Sequence, residues 1–259
     1  MVRLAAGPIA MGSEETELLH VFAECVRQPY GHRCDHAQFG DELPRHVVHV
    51  QSFWLDRFEV TVEAYERCVS VGACGPRPTG EGTLRFDRPD FPVTRVDWPD
   101  AQAYCAFRGA RLPTEAEFER AARGVNGRRY PWGNLFNAHA CNHGRFGWDM
   151  TEGADGFLEL APVGSFGAGV SAEGVHDLAG NVSEWVADRY APSYEFAARS
   201  SGPGSGSTLR VVRGGSYATA PFSLRGASRS AAEPNERRPS LGFRCARSAS
   251  GSRGGAGRG

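Results

Sequence analysis

The sequence predicts an α+β protein, built as one irregular domain with a few short helices and strands joined by many loops. Glycine and proline are abundant, with 33 and 16 residues in a chain of 259, and both residues favour turns over regular structure. The clear helix and strand patterns are short. Hydrophobic residues make up 41% of the chain, which is enough for a core.

Charge and hydrophobicity argue against two kinds of partner. The chain has 29 Lys and Arg against 30 Asp and Glu, and this balance does not favour broad electrostatic binding to nucleic acid or to an acidic membrane surface. No apolar run approaches the ~20 residues that a membrane-spanning helix needs. We therefore expect neither a nucleic-acid partner nor a membrane span.

The first clear elements lie between residues 46 and 110. Residues 46–60, HVVHVQSFWLDRFEV, are rich in β-branched and aromatic side chains and predict one bent strand or two strands. Thr61 is expected to cap a helix that ends at Gly72. Asp97 is expected to cap a second helix that ends at Gly109.

The segment RLPTEAEFERAARG, residues 111–124, has the strongest helical signal. Thr114 and Glu117 form the pattern of a capping box, in which each side chain accepts from a free N–H at the helix start. Phe118 and the alanines three and four residues later share one helical face, which we expect to be buried.

Beyond Gly124 the chain is predicted to consist mainly of turns, with short strands in LRVVRGGSY (209–217) and LGFRCAR (241–247). The stretch 195–208 contains GPGSGS and predicts an exposed excursion. Residues 248–259, SASGSRGGAGRG, lack side chains that could be buried and predict a disordered tail.

The seven cysteines bear on the compartment. Cys25 and Cys34 lie close in the sequence, as do Cys68 and Cys74, and both spacings suit a disulfide that closes a small loop. Two such pairs favour an oxidising, extracytoplasmic compartment, with buried free thiols as the alternative. The N-terminal MVRLAAGPIAMGS is too short and too interrupted for a signal peptide, so a cytosolic location or an upstream start stays open.

Two acidic, glycine-rich stretches are candidates for calcium binding. Calcium takes carboxylate and backbone carbonyl oxygens at about 2.3–2.6 Å, often from one irregular loop. Residues 176–190 place Asp177 and Glu184 around a Gly-Asn pair. The alternative is that these residues cap or line ordinary solvated turns. The second stretch, residues 141–157, offers Asn142, Asp149, Glu152 and Asp155.

Histidine and cysteine alternate in two places. A strand over His139, Cys141 and His143 would direct all three side chains to one side, as a zinc or copper site requires. The same spacing recurs around Cys34, which has a histidine two residues to either side. Neither place has the CxxC or HExxH spacing of zinc motifs, and a disulfide accounts for Cys34.

Seven landmarks occur in order along the chain: IAMGS, FWLDRFEVT, FPVTRVDWPDAQAYCAFRGARLPTEAEFERAARG, YPWGN, GVHDLAGNVSEW, RVVRGGSY and LGFRCAR. In this order they resemble the formylglycine-generating enzyme, or sulfatase-modifying factor, family. The resemblance extends over residues 8–247. It implies one irregular domain with a variant of the C-type-lectin fold, little regular secondary structure and bound calcium.

The resemblance implies two calcium ions, each held by two side chains and two backbone oxygens, and a disulfide between Cys105 and Cys245. Asp177 stands where relatives often have asparagine, which is also an oxygen donor. The implied ligands of the first ion are the side chains of Asn142 and Asp155 with the backbone oxygens of His143 and Phe157; those of the second are the side chains of Asp177 and Glu184 with the backbone oxygens of Gly180 and Val182.

The chain departs from these enzymes in the segment after RGGSY. The enzymes carry two cysteines there, which bind copper(I) and the substrate thiol while oxygen converts a sulfatase cysteine to formylglycine. Here Thr219 stands at the first cysteine, the second has no counterpart, and Ser183 replaces a tryptophan, although Ser216 matches. A hydroxyl cannot replace a thiolate as a copper(I) ligand, so we do not expect copper as a cofactor.

Two functions remain as alternatives. We favour a calcium-stabilised binding or accessory module for a peptide, protein or glycan, because the scaffold motifs are intact beside an emptied catalytic segment. The other is a metal-dependent oxidoreductase whose ligands lie elsewhere, for example at Cys141, or come from a second protein. Internal salt bridges are a competing role for the arginines, above all for Arg213. The predicted binding residues are Arg213, Ser216, Tyr217, Arg225 and Arg229, and the counterparts of the catalytic loop are Ser216, Tyr217 and Thr219.

Overall fold

Short helices and small sheets make up the regular part of the fold. The structure is a computed structural model and describes residues 1–78, 84–146, 150–151, 153, 155–199 and 207–249. The helices in these ranges are α1 (Glu15–Val26), α2 (Val62–Ser70), α3 (Trp98–Phe107), α4 (Glu115–Arg123) and α5 (Tyr194–Arg199). The strands are β1 (Val2–Leu4), β2 (Gly7–Met11), β3 (His46–Val50), β4 (Phe53–Leu55), β5 (Gly144–Phe146), β6 (Met150–Thr151), β7 (Ser183–Arg189), β8 (Arg210–Arg213), β9 (Arg229–Ala232), β10 (Leu241–Phe243) and β11 (Ala246–Ser248).

The largest sheet has the strand order β10-β7-β8-β9. β10 runs parallel to β7, and the other neighbouring pairs are antiparallel. A second sheet places β1 and β11 on either side of β4, and two ribbons pair β2 with β3 and β5 with β6. Together with the few helices, this confirms the predicted α+β class with one irregular domain.

The first and last strands extend the folded part beyond the predicted bounds of 8–247. β1 begins at Val2 and pairs with β4. Ser248, which we expected in the tail, pairs with Phe53, and the Ala249 N–H donates to the Ser52 carbonyl at 3.1 Å. The rest of the predicted tail, residues 250–259, lies outside the described residues, as do most residues of the GPGSGS stretch.

The predicted helix starts are confirmed by their caps. The Thr61 hydroxyl accepts from the Ala64 N–H at 3.2 Å, and the Asp97 carboxylate accepts from the Asp100 N–H at 2.9 Å. At α4 the predicted capping box is present in both directions. These side chains satisfy N–H groups that have no partner within the helix.

Several elements were not predicted, of which α1 is the longest helix and β7 the longest strand. Helix α1 has Glu14, an unusual N-cap residue, before its first turn, and its residues Leu18, Val21 and Cys25 recur at helical spacing and are buried. Strand β7 lies in a segment that we expected to consist mainly of turns. It is a central strand, and the carboxylates of Glu184 and Asp188 have partners inside the protein, Arg244 and the Glu115 N–H.

The largest sheet is buried on both faces. Alternate residues of a strand point to opposite sides, and Trp185 of β7 packs in one core cluster while Val186 packs in another. Helices α2 and α3 cover the first face through Tyr65 and Tyr104, and α4 covers the second through Phe118 and its two alanines. The helices therefore hold the sheet, and the loops at its ends, in one arrangement.

All three predicted disulfides are present. They join Cys25 to Cys34, Cys68 to Cys74 and Cys105 to Cys245. The first two close small loops, and the third connects α3 to the segment between β10 and β11. Three disulfides are typical of an oxidising, extracytoplasmic environment. In the part of the chain that the structure describes, no helix combines the length and apolarity that crossing a membrane requires.

Candidate functional site

A cavity of about 610 Å³ lies beside the end of β8. One wall is the segment 33–42, which includes a 3-10 helix over His36–Glu42. The opposite wall is formed by β8, the loop that follows it, and β9. Seven of the lining residues carry hydroxyl groups: Ser183, Ser216, Thr219, Ser223, Ser228, Ser230 and Ser240.

Two glycines after β8 turn the chain back toward the cavity. Gly214 and Gly215 have φ values of +88° and +68°, a conformation that side chains with a Cβ rarely adopt. A Cβ on Gly215 would also lie 2.6 Å from a methyl carbon of Leu224. The predicted loop shape of RGGSY is therefore real, and it places Ser216 and Thr219 in the cavity wall.

The Thr219 hydroxyl stabilises this turn. It accepts from the Ser216 N–H at 2.9 Å, and it lies 3.3 Å from the Ser216 hydroxyl. The Thr219 N–H in turn donates to the Ser216 carbonyl at 2.9 Å. Thr219, which the family resemblance places at the first copper cysteine, thus holds the loop in shape through a hydroxyl that accepts a hydrogen bond.

No cysteine of the chain offers a free thiol to the cavity. Six of the seven cysteines form disulfides, including Cys25, which lines the cavity. Cys141 is free but buried in a separate cluster with Tyr130 and Leu224. Burial raises the pKa of the Cys141 thiol well above its usual range, so this group stays protonated.

The predicted arginines do not form an exposed surface, which corrects that expectation. Arg213 donates to Glu119 at 2.6 Å, Arg225 to Glu42 at 2.5 Å, and Arg229 to Glu115 at 2.8 Å; these arginine side chains are at most 4% exposed. Removing a guanidinium from water is costly unless a carboxylate compensates its charge. The pairs therefore belong to the scaffold, although Arg213 and Arg229 also contact the cavity.

Tyr217 does not line the cavity. Its side chain is buried in a cluster with Val62, Phe91 and Leu160. Its N–H donates to the Asn181 carbonyl at 2.9 Å. The structure thus divides the predicted binding residues: Ser216 faces the cavity, and Tyr217 belongs to the core.

Burial and nearby arginines determine whether the carboxyl groups of Asp41 and Glu42 are ionised. Burial alone would raise the pKa of Glu42, but the adjacent Arg225 guanidinium outweighs burial, and the pKa is lowered. Asp41 differs, because burial raises its pKa to about 6 even though Arg229 lies nearby. Glu42 therefore stays ionised and paired with Arg225, so its carboxylate is poorly suited to accept a proton as a base.

The side chains of the first predicted calcium set lie close together. The Asp155 carboxylate accepts from the His143 and Phe157 N–H groups at 2.8 and 2.9 Å. Asn142 is buried, and its amide donates to the Glu159 carbonyl at 2.7 Å. The Asn142 Oδ1 atom is buried without a hydrogen-bond partner in the described structure. An orphaned acceptor of this kind is costly, so the set fits a cation. Asp149 and Glu152 lie outside the described residues.

In the second predicted set, one of the two carboxylates already has a cationic partner. Glu184 is fully buried and accepts from Arg244 at 2.6–3.0 Å through both carboxylate oxygens. The Asp177 carboxylate accepts from the Gly164 N–H at 2.6 Å. Burial raises the pKa of Asp177, Glu184 and the neighbouring Glu59. Arg244 already neutralises Glu184, so we restrict the calcium argument to the first set.

The two histidine–cysteine hypotheses are wrong. His139 is exposed, whereas Cys141 and His143 are buried in a segment that is not a strand. Cys34 is in a disulfide. Among the described residues, no three His, Cys, Asp or Glu side chains form a group that could hold a metal ion. Neither implied calcium set depends on such a group, since each uses two side chains and backbone oxygens.

Comparison with known proteins decides the family. The model of the sulfatase-modifying factor enzyme 1-like domain matches residues 1–249. The chain belongs to this family. This sulfatase-modifying factor family protein is 41% identical over 248 residues to the formylglycine-generating enzyme of Streptomyces coelicolor, covering 91% of this chain and 77% of that protein.

The chain is also similar to a mouse protein and to a solved bacterial structure. It is 41% identical over 182 residues to the inactive C-alpha-formylglycine-generating enzyme 2 of Mus musculus, covering 67% of this chain. The match spans 54% of the mouse protein, about half its length. Among solved structures, PvdO from Pseudomonas aeruginosa superposes with a TM-score of 0.73 and 29% identity, over 95% of this chain and 93% of that one.

Sequence reasoning missed one wall of the cavity. Ser183, Ser216 and Thr219 were found through the family motifs. The segment 33–42 was not, because no motif marks it and it comes to line the same cavity as β8 only in the folded chain. The sequence signal that could have located this segment was Cys34, through its predicted disulfide with Cys25.

We predict that Arg225→Met destabilises the protein by about 3–5 kcal/mol, because it leaves the Glu42 charge buried and unpaired. Urea denaturation with the disulfides intact measures the free energy of unfolding. The double variant Glu42→Leu/Arg225→Met should recover most of the loss. Arg67→Met, which breaks the exposed pair with Glu63, should change stability by less than about 1 kcal/mol. Wild-type stability of Arg225→Met would mean that Arg225 is not part of the scaffold.

Proposed function

We propose that this protein is a binding module that holds an extended peptide segment in the cavity and does not oxidise it by the family's copper chemistry. The observation that carries this proposal is Thr219. The family resemblance places it at the first copper cysteine, and in the structure it lines the cavity and uses its hydroxyl to hold the turn. A well-formed cavity without a free thiol suits recognition better than thiol oxidation.

The lining supports a peptide as the ligand. β9 ends the largest sheet of the described structure, and Arg229 and Ser230 of this strand line the cavity. An edge strand presents backbone N–H and C=O groups without a strand partner, and an extended peptide can pair with them. The surrounding serine hydroxyls can donate to and accept from further peptide groups.

The names of the relatives do not decide the activity. The mouse relative is named as inactive, and the Streptomyces relative is named as a formylglycine-generating enzyme. Both are 41% identical to this chain over the matched residues. The residues at the site favour the inactive type, because the first copper cysteine is replaced and Cys141 lies outside the cavity.

The oxidoreductase alternative has less support. The buried Cys141 thiol is held protonated, and thiolates are the form that binds metal or attacks a substrate. The two carboxylates that line the cavity, Glu42 and Glu236, are both occupied by arginines. The described lining therefore offers neither a free thiol nor an unpaired carboxylate.

We also propose that calcium binds at the first predicted set and supports the cavity loop. Asn142 and Asp155 would supply side-chain oxygens, with backbone oxygens of His143 and Phe157. The ion would provide charge neutralisation and rigidity. The Asn142 carbonyl accepts from the Asn181 N–H, and the Asn181 carbonyl accepts from the Tyr217 N–H, each at 2.9 Å. These two hydrogen bonds connect the set to the RGGSY loop.

A screen of immobilised peptides of defined sequence tests the binding proposal. We expect wild-type protein to bind a subset of the peptides, and Ser230→Trp to bind them at least about tenfold more weakly, because Ser230 is an exposed residue of the cavity lining and an indole there would fill the space beside β9. Ser70→Trp, at an exposed position on α2, should bind like wild type. Equal binding by Ser230→Trp and wild type would contradict the proposal. Binding of glycans and not of peptides in the same format would replace the peptide with a carbohydrate.

Removal of calcium tests the second proposal. We expect EGTA to lower the melting temperature by roughly 5–10 °C, since a ligand at about 100 times its Kd adds about 2.7 kcal/mol to stability. Asn142→Ala should remove this sensitivity to EGTA, whereas Asn126→Ala, in an exposed turn, should keep it. An EGTA-insensitive wild-type protein without bound calcium in elemental analysis would refute the proposal.

A further inference from the structure

One charged side chain in the cavity lining differs from the others. Of the six charged groups, five are in ion pairs: Glu42 with Arg225, Arg213 with Glu119, Arg229 with Glu115, and Glu236 with Arg238. The sixth, Arg33, has no carboxylate within ion-pair distance among the residues that the structure describes. Its side chain is exposed at the cavity rim.

The backbone of Arg33 is fixed although its side chain is exposed. Arg33 ends a 3-10 helix over Gly31–Arg33. The next residue, Cys34, is joined by a disulfide to Cys25 of α1. A Cβ on Gly31 would lie 1.9 Å from the Val26 carbonyl oxygen, so only glycine permits this close approach to α1. The Gln38 amide also donates to the Arg33 carbonyl at 3.3 Å.

An unpaired guanidinium in this position favours an anionic ligand. Four arginines and two glutamates line the cavity, and all except Arg33 already have partners. A guanidinium presents a planar fork of N–H donors that matches a carboxylate in two parallel hydrogen bonds. Because the backbone beneath it is held by the disulfide, the side chain can reach only the part of the rim around residue 33.

We propose that Arg33 selects peptides that carry a carboxylate, so that the cavity is a site for acidic peptides. This inference rests on the proposed peptide-binding function and specifies its ligand. The backbone of the peptide would lie along β9 and the serine hydroxyls, and its carboxylate would pair with Arg33 on the opposite wall. The carboxylate could belong to an Asp or Glu side chain or to the C-terminus of the peptide.

Peptide arrays in two formats test this inference. In one format random decapeptides are attached through their C-termini, and in the other through their N-termini with the C-terminal carboxylate free. We expect the peptides bound by wild type to be enriched in Asp and Glu in the first format, or to depend on the free carboxylate in the second. Arg33→Gln should weaken binding to these peptides about tenfold, the effect of losing a charged hydrogen bond.

Arg27→Gln is the matched control. Arg27 is also exposed near the end of α1, but its side chain donates to the Ala23 carbonyl and does not line the cavity. This variant should bind like wild type. Binding that Ser230→Trp abolishes but Arg33→Gln leaves unchanged would overturn this inference and leave the binding function intact. Absence of any bound peptide, or equal binding by Ser230→Trp, would overturn both.

Discussion

The buried charge of Arg213 is the constraint on which the rest of the site depends. Its side chain is fully enclosed at the end of β8 and donates to Glu119 of α4 and to the carbonyls of Gly226 and Ala227 at 2.6–2.9 Å. A guanidinium buried in this way is tolerated only while its partners stay in place. Helix α4, strand β8 and the segment before β9 are therefore held together, and the loop at Gly214 starts from a defined position.

This constraint explains how the scaffold around the cavity can form without a thiol in the loop. The shape of the cavity depends on buried ion pairs, two glycines and short hydrogen bonds within the loop, and none of these needs a thiol. Thr219 contributes an acceptor to the turn at the position that the family resemblance assigns to a copper ligand. A threonine supplies no soft ligand there, and the hydrogen bonds of its hydroxyl fit the frame around it.

Much of the fold was predictable because its signals are local. Helix caps such as Thr61 and Thr114 can be recognised from a few neighbouring residues, and the paired cysteines at 25 and 34 are nine positions apart. Contacts between distant segments were not predictable. Arg225 and Glu42 lie 183 residues apart, so a sequence rich in arginine near the loop suggested an exposed surface where the fold forms internal pairs. β7 was missed because it too depends on a contact between distant segments: the partner of Glu184 is Arg244, 60 residues further along the chain.

The central claim is that the cavity recognises its ligand without oxidising it, and an assay of thiol oxidation tests this most directly. The protein would be incubated with copper, a reductant, oxygen and cysteine-containing peptides, and the peptides would be analysed by mass spectrometry. We expect the cysteine of every peptide to remain unconverted to formylglycine, as in a control without protein. Formation of the aldehyde by the wild-type protein, and its loss in Ser230→Trp, would show that the cavity is catalytic and would contradict the claim.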